Sequence, residues 1–148
     1  MDVDKDSSEI CVANSVLVRN VYGYWPSFHD AEVIEFGIKF FKFDGRNIVD
    51  ATIKVCHSGQ DNPEWIRPGP KCVIEFVCRD ISNTDIVLND LSAGGWIDEI
   101  KVSKKDDGQF EFDVVPLAGL DIKFSCVSVS VEGIYAGAQT ELRGNSLA

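Results

Sequence analysis

Apolar and polar residues alternate with a period of two along much of the chain, the pattern of half-buried β-strands. The even positions are apolar from Ile34 to Phe40, and the odd positions are apolar from Val49 to Val55. Asp44-Gly45, between the two runs, is a hairpin turn signal. We therefore expect a β-hairpin built from two half-buried strands.

The region before this hairpin has a different period. Between Glu9 and Tyr22 the spacing of apolar residues approximates that of a helix, with Ile10, Ala13, Val16, Leu17 and Val21 on one side. Asn14 or Ser15 is a suitable cap for the second half of this segment, and Gly23 is suited to end it in a left-handed conformation. The pattern predicts one short N-terminal helix.

After the hairpin, residues Ser58–Pro70 (SGQDNPEWIRPGP) contain three of the five prolines and no periodicity. Such a segment is typical of a functional loop. Strand patterns then recur at 71–79, 85–91, 96–103, 109–115 and 120–131, with Asp107-Gly108 as a further turn signal.

The apolar positions of the last run change from even to odd near Cys126-Val127. This change predicts either a β-bulge or a strand that leaves one core and enters another face. Together the elements indicate a mainly β fold, an antiparallel sheet or sandwich-like domain with a short N-terminal helix. We expect a single domain over residues 1–148, with its core at about 9–136 and mobile polar termini.

Composition narrows the possible partners. The chain has 14 Lys and Arg against 24 Asp and Glu, so its formal charge is 14 − 24 = −10. Such a surface repels nucleic acids and anionic membranes and attracts a basic partner. The N-terminus MDVDKDSSEI is acidic where a signal peptide is basic, and five cysteines form no CxxC pair. These features predict a cytoplasmic protein without a disulfide framework.

The stretch YGYWPSFHDAEV contains the most conspicuous chemistry. An adjacent His29-Asp30 pair, completed by His57, is one hypothesis for a metal-dependent hydrolase, but no spacing enforces three or four converging ligands. The other interpretation is a rigid corner whose His29 is hydrogen-bonded, so that its loss costs about 1–3 kcal/mol. That structural motif consists of Trp25, Pro26, Ser27, Phe28, His29 and Asp30.

No cysteine or serine has the neighbours of an activated nucleophile, and no phosphate loop or zinc spacing occurs. We therefore expect no catalytic activity, no metal and no cofactor. Two tryptophans suggest a binding face instead, because exposed tryptophans serve as interface anchors or as platforms for sugars. The candidate contact residues are Asp61, Asn62, Glu64, Trp65 and Trp96.

The order of elements adds a resemblance. A short helix, then WPSFHDAEV (Trp25–Val33), a hairpin, a proline-rich loop, KCVIEFVCRDISNTDIVLNDL and a closing GLDIKFSCVSVSVEGI follow one another. Over roughly residues 14–135 the chain resembles the immunity protein 50 family of bacterial polymorphic toxin systems.

This resemblance implies an antitoxin that neutralises the C-terminal domain of a cognate toxin by tight, non-catalytic binding in the cytoplasm. The acidic surface is compatible with a basic, nuclease-like toxin. A small-ligand or carbohydrate-binding β domain is the alternative. The resemblance assigns no toxin-contact residue, and the sequence leaves the oligomeric state open.

Overall fold

The computed structural model describes residues 7–61, 69–89 and 91–137 of the chain. Within these residues the elements are mostly strands, as the periodicity predicts. In chain order they are α1 (Ser7–Ile10), β1 (Val12–Ala13), α2 (Val16–Tyr22), β2 (Glu32–Phe43), β3 (Arg46–His57), β4 (Cys72–Arg79), β5 (Ser82–Leu88), a 3-10 turn (Leu91–Ala93), β6 (Trp96–Lys104), β7 (Phe110–Ala118), β8 (Leu120–Cys126) and β9 (Ser128–Ala136).

The strands join in the order β1-β9-β4-β3-β2-β6-β7-β8-β5, and all described pairings except β1–β9 are antiparallel. β2 and β6 meet only at Glu32 and Trp96, so two half-sheets are joined at one narrow point. Phe76 of β4 and Phe112 of β7 lie four strands apart in this order, which is ~19 Å across a flat sheet. Their rings are only 6.0 Å apart. The sheet therefore folds over into two layers, and the mainly β, sandwich-like fold class is confirmed.

The predicted hairpin is confirmed as β2 and β3. Asp44 and Gly45 both have positive φ values, 53° and 76°, as a two-residue hairpin turn requires. The expected half-burial holds only near the base, because Phe40 is 75% exposed and Phe43 68% exposed. Alternation predicts a strand but not where the opposing layer ends. The protruding part, residues 38–48, is called the hairpin arm below.

The N-terminal helix is not one continuous element. Val12 is buried and pairs in parallel with Val129 of β9, and Asn14 has a φ of 62°, so the helical path stops between α1 and α2. Pairing with an available sheet edge outweighs a weak helical preference. The predicted end at Gly23 is confirmed by its φ of 82° and the hydrogen bond from its N–H to the Arg19 carbonyl oxygen.

The predicted strand 120–131 is divided at Val127. β8 pairs with β7 and β5, whereas β9 pairs with β4 and β1, so the chain passes from one half-sheet to the other. Val127 itself donates a backbone hydrogen bond to the Arg79 carbonyl oxygen. The shift of the apolar residues from even to odd positions had two explanations, a β-bulge or a strand that enters another face. The second is confirmed.

Two glycines with the same backbone conformation give a test of this packing. Gly119 (φ 94°) and Gly108 (φ 87°) both occupy the left-handed region. A Cβ on Gly119 would collide with the Gly94 carbonyl oxygen, whereas one on Gly108 would meet nothing within 4 Å. Gly108→Ala should lower the free energy of unfolding by about 1–2 kcal/mol, and Gly119→Ala by about 3 kcal/mol or more. Urea denaturation measures both, and equal losses would contradict the close approach.

Candidate functional site: the His57–Asp61 corner

The WPSFHDAEV stretch forms a corner between α2 and β2, and its backbone completes the edge of β6. Ile100 N–H donates to the Ser27 carbonyl oxygen at 3.0 Å, and Ile97 N–H donates to that of Ala31 at 2.9 Å. Asp30 N–H in turn donates to the Ile97 carbonyl oxygen at 2.9 Å. The corner thus links the half-sheet containing β2 to the half-sheet containing β6.

The backbone of this corner is strained at two residues. Phe28 and Asp30 have φ values of 70° and 66°, a region that an aspartate tolerates and a phenylalanine rarely adopts. The Phe28 ring is fully buried, 5.8 Å from the ring of Trp25 and 5.7 Å from that of Phe76. Burial of this ring offsets the local strain, which is of order 1–3 kcal/mol.

A single carboxylate, that of Asp61, holds the other side of the corner. Its Oδ2 accepts hydrogen bonds from Ser27 N–H at 2.7 Å, from Ser27 Oγ at 2.9 Å and from Phe28 N–H at 2.9 Å. Its Oδ1 accepts a short hydrogen bond from the Tyr24 hydroxyl and lies 3.1 Å from His57 Nε2. The side chain of Asp61 is only 6% exposed. This predicted contact residue is therefore turned inward, onto the motif.

His57 is the buried imidazole of the molecule, with no exposed surface. Its ring lies 5.1 Å from that of Phe28 and 5.2 Å from that of Tyr22. Among the described residues neither ring nitrogen has a partner with hydrogen-bond geometry, although Nε2 lies 3.1 Å from Asp61 Oδ1. The sequence contained a signal for the burial of His57. Apolar residues occupy the odd positions of β3 from Val49 to Val55, and His57 is the next odd residue on the same inward face.

The contacts of Asp61 set its protonation state. Burial alone would raise the pKa of its carboxyl group, but the contacts with His57, Tyr24 and Ser27 outweigh burial and hold the pKa well below its usual range. Burial and the bond to Asp61 both raise the pKa of Tyr24 far above its usual value. The carboxylate is thus ionised and Tyr24 is a neutral donor at neutral pH.

The same group of residues closes the base of the proline-rich loop. Gly69 N–H donates to the Ser58 carbonyl oxygen at 2.9 Å, and the Tyr22 hydroxyl lies 2.9 Å from the His57 carbonyl oxygen and 3.0 Å from that of Pro70. Gln60 Nε2 donates to the Asp30 carbonyl oxygen at 2.8 Å. One end of the loop is therefore tied to the corner, and the other end is tied to Ser58 and to Tyr22 of α2.

His29 and Asp30 lie outside this buried group. The imidazole of His29 is 50% exposed, with Nδ1 3.3 Å from Asp30 Oδ2 and Nε2 3.3 Å from Asp98 Oδ1. The expectation that His29 has a buried partner is therefore wrong. Loss of its side chain should cost no more than about 1 kcal/mol.

The hydrolase hypothesis finds no ligand set in the described part of the chain. There, no group of three or more His, Cys, Asp and Glu residues is placed to hold a metal ion. His57 contacts Asp61 rather than Asp30, and it is enclosed by aromatic rings.

The residues around Asp61 also lack the connectivity of a nucleophilic triad. In such a triad the histidine lies between serine and aspartate and takes the serine proton. Here Asp61 lies between Ser27 and His57, 2.9 Å from Ser27 Oγ and 3.1 Å from His57 Nε2. A carboxylate in that place only accepts hydrogen bonds, so the arrangement positions backbone and does not activate a hydroxyl.

Of the other predicted contact residues, Trp96 is described. Its side chain is 41% exposed at the point where β6 meets β2, opposite Glu32, and its Nε1 donates to the Ala93 carbonyl oxygen at 3.1 Å. Asn62, Glu64 and Trp65 lie outside the described residues, and their role stays a prediction.

Comparison with known proteins identifies the family. The family model described as Immunity protein 50 matches residues 14–137, most of the chain. No curated protein and no solved structure is similar enough to count as a match. In the described ranges no helix has the length and apolar character needed to cross a membrane. The chain belongs to the Immunity protein 50 family, and this membership indicates a toxin-neutralising role.

Replacement of the central carboxylate should destabilise the fold. Asp61→Ala leaves the amides of Ser27 and Phe28 without their acceptor and removes the carboxylate beside the buried His57, so we expect a loss of about 3 kcal/mol or more. Asp98→Ala removes a surface carboxylate that is 45% exposed and should change stability by no more than about 0.5 kcal/mol. Chemical denaturation compares the two variants, and similar losses would contradict the role given to Asp61.

The contribution of the Asp61 carboxylate to stability should depend on pH. Because its folded-state pKa is depressed, Asp61 contributes stability above its unfolded-state pKa of about 3.9, and this contribution is lost as the pH falls towards the folded-state value. The free energy of unfolding of the wild-type protein should therefore exceed that of Asp61→Asn most clearly at neutral pH, and this difference should shrink below about pH 4. A difference that is constant from neutral to acidic pH would show that the ionised carboxylate contributes nothing.

Proposed function

We propose that this member of the Immunity protein 50 family neutralises the C-terminal domain of a cognate toxin by non-catalytic protein–protein binding in the cytoplasm. The family match over residues 14–137 carries the proposal. The described geometry supports a binding role, because its one buried His–Asp contact is enclosed and holds backbone in place.

The proposed binding region surrounds the corner. Its exposed side, here called the corner surface, combines Trp96 with the His29 imidazole and the carboxylates of Asp30, Glu32 and Asp98. Trp96 supplies a large apolar anchor, and the three carboxylates are suited to lysines or arginines of a toxin.

The proline-rich loop extends this binding region, because Asp61 at its start is fixed to the corner. Asn62, Glu64 and Trp65 follow directly on Asp61, whose carboxylate is fixed to the corner. We infer that Asp61 contributes to binding by positioning this loop, while Asn62, Glu64 and Trp65 are the contacts. The WPSFHDAEV stretch is then a support for the binding region.

Charge favours a basic toxin. A net charge of −10 steers a cationic partner towards the protein and accelerates association at low ionic strength. Domains that act on nucleic acids present cationic surfaces to phosphates, so a nuclease is the activity that fits best. The inhibitor would cover the surface that the nucleic acid otherwise occupies.

Co-expression with the toxin domain encoded immediately upstream tests the proposal. The protein should restore growth and co-purify with the toxin domain, and Trp96→Ala should weaken the complex about 30-fold or more, as loss of an anchor does. Titration calorimetry with the purified partners gives the affinity. No rescue and no complex would refute the proposed function.

A matched control distinguishes a local contact from general destabilisation. Val127 is also an exposed apolar residue, but its backbone N–H bonds to Arg79, the last residue of β4. His57 pairs with Cys72, the first residue of the same strand, so Val127 lies at the other end of β4 from the corner. Val127→Ala should leave affinity for the toxin unchanged. Equal weakening by both variants would remove the corner surface from the interface and leave the family role in place.

A further inference from the structure

In the described part of the chain, the outer edge of β2 is unpaired along most of its length although β2 lies inside the strand order. From Glu35 to Phe43, β2 pairs with β3 at every residue, whereas β6 meets β2 only at Glu32. Next to that point, Val33 N–H is already bonded to the Gly95 carbonyl oxygen. Among the described residues, nine consecutive positions of β2 therefore have no strand on their outer side. A free edge of that length is a template for pairing with another strand.

The same edge exposes an unusual amount of apolar surface. Ile38, Phe40, Phe41 and Phe43 are all exposed, and they fall within six consecutive residues. The edge of β6 is treated differently, because Ser8, Ser27 and Asp30 cover it with hydrogen bonds. The fold thus protects one inner edge and leaves the hairpin arm open, which points to a partner that adds a strand there.

The sequence of the edge is complementary to itself. Antiparallel pairing of two copies about a two-fold axis at Ile38 places Ile38 opposite Ile38 and Phe36 opposite Phe40 on both sides of the axis. These residues share one face of β2, the face of Ala51 and Ile53. Aromatic and β-branched cross-strand pairs are among the most stabilising.

Neighbouring registers are worse. An axis at Lys39 places two lysines directly opposite each other, and one at Phe40 places Ile38 against Lys42. An axis at Gly37 leaves only positions 35–39 to pair before the strand reaches Val33 and Glu32, which already bond to Gly95 and β6, whereas an axis at Ile38 leaves positions 35–41. With the axis at Ile38, Lys39 lies opposite Gly37, and no like charges face each other directly.

Charge also favours the arm as the contact between copies. The chain carries −10 overall, so two copies repel each other over most of their surface. The hairpin arm instead carries Lys39, Lys42 and Arg46 against Asp44 alone. It is a locally cationic part of an acidic molecule, and repulsion is weakest there.

We propose that the protein forms a homodimer in which the β2 strands of two copies pair antiparallel about Ile38 and join their half-sheets into one continuous sheet. The contact is isologous and closes on itself, as the commonest dimers do. It lies on the hairpin arm and does not require the corner surface, so it is independent of toxin binding.

Analytical ultracentrifugation of the purified chain tests this dimer. The wild-type protein should dimerise reversibly at micromolar concentrations. Ile38→Lys places two ammonium groups at the axis and should raise the dissociation constant at least about tenfold. Phe43→Lys removes an apolar side chain that is more exposed than Ile38, 68% against 39%, but whose position lies beyond the paired segment, and it should leave the dimer intact.

A second measurement tests the register without disturbing the charge. Directly opposite residues of antiparallel strands have Cα atoms about 4.5–5.5 Å apart, within the range that a disulfide bridges. Under oxidation by copper phenanthroline, Ile38→Cys should cross-link two copies, with both thiols losing hydrogen to the oxidant. Phe41→Cys, which lies opposite Glu35 in this register, should cross-link no more than the unmodified chain.

Several results would overturn the dimer. They are a monomeric wild-type protein, a dimer that Ile38→Lys leaves unchanged, or equal cross-linking at positions 38 and 41. A monomeric wild type whose toxin affinity falls in Ile38→Lys but not in Phe43→Lys would instead assign the edge to a strand of the toxin.

Discussion

The hydrogen bonds that the Asp61 carboxylate accepts are the interaction on which the rest of this structure depends. They bring together a backbone turn, a tyrosine hydroxyl and the end of a central strand, three segments that are far apart in the sequence. Burial of a carboxylate is costly unless its oxygens accept hydrogen bonds, and here Oδ2 accepts three and Oδ1 accepts one beside the His57 imidazole. The same group therefore stabilises the fold and fixes the start of the proline-rich loop.

The consequences extend to the arrangement of the two layers. Because Asp61 fixes the amide of Phe28, the Phe28 ring is directed into the core against Phe76, which in turn contacts Phe112 of the other layer. On its other side the corner bonds to β6 through Ser27, Asp30 and Ala31. The single contact between β2 and β6 suffices because the corner supplies the missing attachment, and Trp96 is placed beside it.

Short-range patterns predict much of this fold. The alternation of β2 and β3, the Asp44-Gly45 turn and the change of phase at Val127 follow from which residues can share a face of a strand. The exposure of Phe40 and the break in the first helix were not predictable, because they depend on where a distant layer ends and where a free edge lies. The sequence also directed attention to His29-Asp30, because the two residues are adjacent in the chain. The role of His57 and Asp61 depends on contacts with Tyr24, Ser27 and Phe28, which are distant in the sequence and come together only in the folded protein.

The anchoring of the proline-rich loop has a consequence for how such a protein diversifies. Ser58, Gln60 and Asp61 at one end, and Gly69 and Pro70 at the other, make the closing bonds largely through backbone atoms or through partners in the corner. These closing groups belong to residues 58–61, 69 and 70, so they stay in the chain when the sequence between them is exchanged. A scaffold of this kind can acquire a new recognition specificity by substitutions confined to a few consecutive codons.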